Sequence, residues 1–244
     1  MGTARVVVGA CTVAAMVVGA NVVCAQNFPN KSIRLITSLP GGTNDLVARI
    51  IALRLPDSLG QPVIVDNRGG AVVSGELVAK AAPDGYTLIV TGSDFWVGPL
   101  LRKTPYDVAK DFSAVTLAIR QPTIVVVHPA VPAKSIKELI ALAKAKPGSL
   151  NYASSTIGSA SHTGPELFKF VAGIDIARVP YKSAGAAATA LVSGEVQMLF
   201  ATPNSAVALI KAGKMRALAV TSAEPSVLIP DLPTVAAALP GFES

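Results

Sequence analysis

The chain has 244 residues, with 21 Lys and Arg against 15 Asp and Glu, for a formal net charge of +6. That length buries a sizeable core and suits one large domain or two small ones. Its basic residues are scattered and its aromatics few (5%), which argues against nucleic acid as a partner, while a mildly basic surface favours small anions.

Arg5 is the one charged side chain before Lys31, and an apolar run over residues 6–20 follows it. Val23 and Ala25 fit the −3 and −1 positions of a signal-peptidase site, which predicts export to the periplasm with cleavage after Ala25. The run is short for a bilayer span of about 20 residues, so a membrane anchor or buried helix is the lesser alternative. Acylation at Cys24 is another, disfavoured by bulky Val23. The two cysteines, Cys11 and Cys24, both fall before the cleavage point, leaving a mature chain without thiol or disulfide chemistry.

From there apolar runs alternate with helical patterns. Residues 33–37 read as a strand, 46–55 as a helix with Leu46, Val47, Ile50, Ile51 and Leu55 on one face, and 62–65 as a second strand. A helix over 76–82 is broken by Pro83-Asp84-Gly85, and 86–90 is a third strand. Residues 123–127 are a fully apolar β-rich run. The clearest helix is 135–146, with a Ser135/Glu138 capping box and a Pro147-Gly148 stop. Strands at 150–153, 176–179, 196–200 and 215–220 then alternate with helices at 165–171, 184–191 and 204–211. The pattern predicts an α/β fold with mostly parallel sheets covered by helices. A seam near residues 110–130 divides it into two lobes, 26–122 and 123–225, with a cleft between them. Residues 226–244 are expected to begin a return to the first lobe.

In such sheets ligands lie beyond the carboxyl ends of the strands, at helix N-termini. The loop after the first strand carries Gly41, Gly42, Thr43, Asn44 and Asp45. Its glycines expose backbone N–H groups, and Thr43 and Asn44 add donors. Asp45 suits an ammonium or hydroxyl, or simply caps the helix. The spacing matches neither a P-loop nor the dinucleotide fingerprint. The loop after residues 150–153 carries Ser154, Ser155, Thr156, Gly158, Ser159, Ser161 and His162. Small hydroxyls around a glycine suit a carboxylate held by neutral hydrogen bonds, and a plain surface loop with Ser161 or Thr163 as helix cap is the alternative. Ser93, Asp94 and Trp96 fall in the loop after the third strand, where they line the cleft or pack. Tyr181, Thr202 and Asn204 follow later strands toward the same end. His128 and His162 are the only histidines; no metal spacing, nucleophile elbow or cofactor motif accompanies them, so no cofactor is expected.

The order of these pieces resembles the Bug family, the TctC-like extracytoplasmic solute-binding proteins of tripartite tricarboxylate transporters. The resemblance runs from Phe28-Pro29 and Pro40-Gly41-Gly42 through the stretch Val78 to Leu88, Pro105-Tyr106-Asp107 and Leu150-Asn151-Tyr152-Ala153-Ser154. It continues through Val179-Pro180-Tyr181-Lys182 and Lys214 to Val220, and closes at Asp231-Leu232-Pro233 and Leu239-Pro240-Gly241-Phe242. It implies a two-lobed periplasmic-binding-protein fold of the Venus-flytrap kind, closing on a small organic acid or amino acid, with the membrane subunits of a transporter as partners. Carried over by position, it implies ligand contacts from Gly41, Gly42, Thr43, Asn44 and Asp45, and from Ser154, Ser155, Thr156, Gly158 and Ser159. Where relatives carry an acid, Ala201 stands here, leaving Thr202 and Asn204. The glycine run before the second helix is reduced to Arg68-Gly69-Gly70-Ala71-Val72-Val73-Ser74-Gly75, and the order of small residues at Thr43-Asn44 is swapped. Relatives continue for several dozen residues past the Pro-Gly-Phe segment, so the C-terminal return to the first lobe is expected to be truncated. The readings are a solute-binding protein, a ligand sensor serving a signalling partner, a truncated inactive relative and, least favoured, an enzyme using His162 with Ser155 or Ser159.

Overall fold

In the computed structural model, residues 28–227 and 229–244 are described. The proposed signal, its cleavage site and both cysteines lie outside them. Strands β1 (Ile33–Thr37), β2 (Val63–Asn67) and β3 (Thr87–Val90) form a parallel sheet in the order β2-β1-β3. Helix α1 (Thr43–Arg54) and one-turn α2 (Pro56–Leu59) join β1 to β2, α3 (Gly70–Ala79) joins β2 to β3, and α4 (Ser93–Leu101) follows β3. Ile33, Leu35, Ala48 and Val63 form one core cluster of this lobe, and Ala71, Phe95 and Tyr106 a second.

A long irregular segment leads to β4 (Ile124–Val127), which opens the second sheet. Helices α5 (Ile136–Ala145), α6 (Ala160–Ala172), α7 (Ala184–Val192) and α8 (Pro203–Lys211) alternate with β5 (Asn151–Ser154), β6 (Ala177–Pro180), β7 (Met198–Ala201) and β8 (Arg216–Val220). The order is β6-β5-β7-β4-β8. Strand β4 runs antiparallel to β7 and β8, and β5 runs parallel to β6 and β7. In β4, Val125 and Val127 join one core while Ile124 and Val126 join the other, all of them fully buried. Both faces of the sheet are covered, which is why this strand reads as a continuous apolar run and not as an alternation.

Three sequence expectations are corrected. The stretch after β3 is the helix α4 and not a loop. Gly98 and Pro99 disguise it, but the Phe95 carbonyl, which loses its partner because Pro99 has no N–H, accepts from the Tyr106 hydroxyl at 3.3 Å. Helix α3 starts at Gly70, six residues ahead of the expected start at Glu76, and Gly75 within it serves close packing and not a break. A Cβ on Gly75 would lie 2.5 Å from the Tyr106 ring. In α1, Val47 and Ala48 turn inward, while Leu46, Ile50 and Leu53 form an exposed stripe, so the single face expected for Leu46, Val47, Ile50, Ile51 and Leu55 is split.

Residues 229–244 pack on the second lobe. Val220 N–H donates to Pro233 O at 2.9 Å, and a short 3-10 turn over Val235–Ala237 follows. Phe242 is buried against Phe168 and Phe200. Where the chain passes between lobes, the Thr123 and Thr221 hydroxyls lie 3.0 Å apart, and Thr221 also donates to Ser244 O.

Candidate functional site

Four strands end at one place, and each hands over to a helix that begins there. The N-termini of α1 and α4 come from the first lobe, those of α6 and α8 from the second. Each N-terminus presents unpaired backbone N–H groups and the positive end of a helix dipole. Apart from Ser154, the last residue of β5, and Tyr181, which follows β6, the site residues expected from the sequence fall in these first turns or the loops before them. Gly42 caps α1, and Thr43, Asn44 and Asp45 form its first turn. Gly92 caps α4, with Ser93 next; Ser159 caps α6; Thr202 caps α8, with Asn204 two residues on.

The loop before α6 holds the densest polar cluster. The hydroxyls of Ser155, Ser159 and Ser161 form a triangle with sides of 3.0–3.1 Å. Ser155 N–H donates to Ser161 Oγ at 3.0 Å, and Ser159 Oγ donates to Thr156 O at 2.7 Å. Behind the triangle, on β6, Arg178 donates from Nε to Ser154 Oγ (2.6 Å) and from Nη2 to Ser155 O (3.1 Å). A positive charge is thus fixed under a small array of neutral donors. Ser161 is a member of this array and not the helix cap.

His162 does not pair with these serines. Its Nδ1 accepts from Gly158 N–H at 3.1 Å, and burial together with nearby Arg178 holds the imidazole below its ordinary pKa. The base-to-nucleophile hydrogen bond an enzyme would need is not formed here. Asp45 is likewise occupied. Its carboxylate accepts from Gly41 N–H (3.0 Å), Asn67 Nδ2 (2.8 Å) and Arg49 Nε, with which it forms an ion pair at 3.0 Å. Burial alone would raise its pKa, but Arg49, Gly41 and Asn67 outweigh that and hold the carboxyl below its usual value. Asp45 therefore braces its own loop, and the same bond uses the Gly41 N–H. The Ser93 hydroxyl has no hydrogen-bond partner among the described residues, and Thr202 lies 3.1 Å from the Ser205 hydroxyl.

The two lobes touch across the site. Thr43 donates to Asn204 Oδ1 at 3.1 Å and accepts from Gln121 Nε2 at 3.2 Å. Thr156 donates to Asp94 Oδ2 at 3.0 Å. Asp94 is only 8% exposed, and burial raises its pKa against the opposing pull of Thr156 and Arg102. Gly158 has φ +84°, and a Cβ there would lie 3.0 Å from the Gly98 nitrogen. Gln121 and Arg178 were not foreseen. An arginine inside an otherwise β-like stretch was the available signal for Arg178; Gln121 had none. Trp96 is half exposed and Tyr181 donates to Glu195 at 2.8 Å. Two cavities, of about 290 Å³ beside Lys134, Lys137 and Thr234 and about 470 Å³ beside Ala52 and Gln61, lie away from these loops. Among the described residues no cluster of acids and histidines could hold a metal, and no helix is long and apolar enough to cross a membrane.

Comparison with known proteins shows the family and the fold. Protein BugT of Bordetella pertussis is 38% identical over 220 residues, covering 88% of this chain and 68% of that protein. The solved structure of R. palustris Rpa4515 with adipate superposes with a TM-score of 0.80 at 35% identity, over 89% of this chain and 75% of that one. The periplasmic binding protein BugD gives a TM-score of 0.81 at 30% identity, over 89% and 74%. The fold is that of a two-lobed periplasmic binding protein. Residues 47–243 match the tripartite tricarboxylate transporter family receptor, TctC, and the chain belongs to this family of solute-binding proteins.

Proposed function

We propose that this protein captures a small carboxylate-bearing molecule outside the cytoplasm and delivers it to the membrane subunits of a tripartite tricarboxylate-type transporter. The observation that carries this reading is the Ser155–Ser159–Ser161 triangle, backed by Arg178, at the head of α6, on the loop whose Thr156 and Gly158 meet α4 of the other lobe. A carboxylate there takes the place of the serines' bonds to one another and gains the field of several helix dipoles. Neutral donors net about 0.5–1.5 kcal/mol each, which suits capture that must be reversed at the transporter. The pairing of Rpa4515 with adipate makes a dicarboxylate the first ligand to test. Gly42, Asn44, Ser93 and Thr202 are the remaining candidates for its other end. Export is supported by the apolar N-terminal run and the Val23/Ala25 site.

Isothermal titration of the protein with mono-, di- and tricarboxylates tests this. Heat of binding is expected for at least one of them. Ser155→Ala with Ser159→Ala should weaken it about tenfold or more, the equivalent of ~1.4 kcal/mol. Absence of heat with every acid would overturn the reading.

A further inference from the structure

The direct polar bonds between lobes are not equivalent. Thr43 to Asn204 is exposed, so water competes for both partners. Thr156 to Asp94 lies against the buried Asp94 carboxylate, on the turn that carries the serine triangle. Thr156 belongs to both structures. Its hydroxyl reaches across to Asp94, while its carbonyl accepts from Ser159 within the triangle. Two residues on, Gly158 rests on the backbone of α4 so closely that a Cβ would lie 3.0 Å from the Gly98 nitrogen, and its φ of +84° strains any side chain.

We propose that the Asp94–Thr156 hydrogen bond is the latch that holds the lobes closed, that Gly158 is the contact on which it closes, and that both are positioning residues for ligand capture. The proposal rests on the reading of the serine loop as the ligand site. Ordering that loop around a carboxylate fixes Thr156 through Ser159 and presents its hydroxyl to Asp94. The latch is weak by construction. Among the described residues Asp94 forms no ion pair, and Arg102 acts on it only at a distance, so closure strips water from a carboxylate and returns one hydroxyl. Opening rehydrates it. An asparagine at this position keeps an oxygen for Thr156 and removes the buried charge, so it should favour closure.

Spin-label distances test the latch on the full chain carrying Cys11→Ser and Cys24→Ser, with labels at Ser58 and Lys144, exposed positions on opposite lobes. Asp94→Ala and Thr156→Val should each shift the distribution to longer distances, and the double variant should shift it no further than either alone. Asp94→Asn should keep the short distance or sharpen it. Far-UV circular dichroism checks that each variant is folded, and Gly158→Ala supplies an independent opening variant. Unchanged distributions in Asp94→Ala and Thr156→Val, or opening in Asp94→Asn equal to that in Asp94→Ala, would overturn the latch. If the unsubstituted protein gives no response to any carboxylate while Asp94→Ala and Thr156→Val still open it, the latch stands and the ligand reading fails. If adipate binds and closes all of them alike, the latch alone fails.

Discussion

At the scale of single residues, one glycine is defined by what it leaves out. Gly75 on α3 gives up a side chain so that Tyr106 can stack on Phe95, ring centroids 5.1 Å apart. Gly75→Ala must displace that ring, and overpacking of this kind costs about 1–3 kcal/mol, to be read as a lower urea midpoint with unchanged m-value. His162 makes a pH prediction. Its folded pKa lies below the ordinary 6.5, so the unfolded chain binds the proton more readily. Its contribution is full above that value and is lost as pH falls through the folded pKa. Melting temperature should therefore decline on acidification below about pH 6.5, and His162→Gln, which still offers an acceptor to Gly158 N–H, should flatten that part of the decline. Asp94 has the opposite sign. As an acid whose folded pKa is raised, it stabilises fully at low pH and loses its contribution as pH climbs through the folded value. Asp94→Asn should remove that loss and raise the melting temperature near neutrality.

At the scale of elements, much of the architecture was legible because local signals agreed with burial. The 135–146 pattern became α5 with its capping box nearly as read. Ser135 Oγ accepts from Glu138 N–H at 3.2 Å, and Glu138 Oε2 accepts from Lys134 N–H at 2.8 Å, one residue earlier than the reciprocal bond of the standard motif. Ser135→Ala should cost about 1 kcal/mol, measured by chemical denaturation. Helix α4 was hidden because its glycine and proline signal a break by local rules, and only a tertiary partner, the Tyr106 hydroxyl, repairs the ladder. The reversed direction of β4 was equally hidden, since an apolar run buried on both faces carries no mark of polarity. The candidate loops were readable from their small hydroxyl residues and glycines. Their assembly was not, because Arg178 lies on a later strand, Gln121 lies in the irregular crossing segment, and Asp94 meets Thr156 only once both lobes are folded.

At the scale of the whole molecule, two sheets point the ends of their strands at one meeting place, and the chain crosses between lobes beside the Thr123–Thr221 pair. The helix N-termini supply a field suited to an anion, the serine triangle supplies directed donors, and Asp45 is neutralised by Arg49 so that it opposes the field little. A crystal structure of the protein grown with adipate tests this account most directly. It should place a ligand carboxylate between the lobes, with oxygens within about 3.2 Å of the Ser155 or Ser159 hydroxyls at the head of α6. Adipate seated elsewhere, for instance in the cavity beside Lys134 and Lys137, with the serine triangle intact, would contradict it.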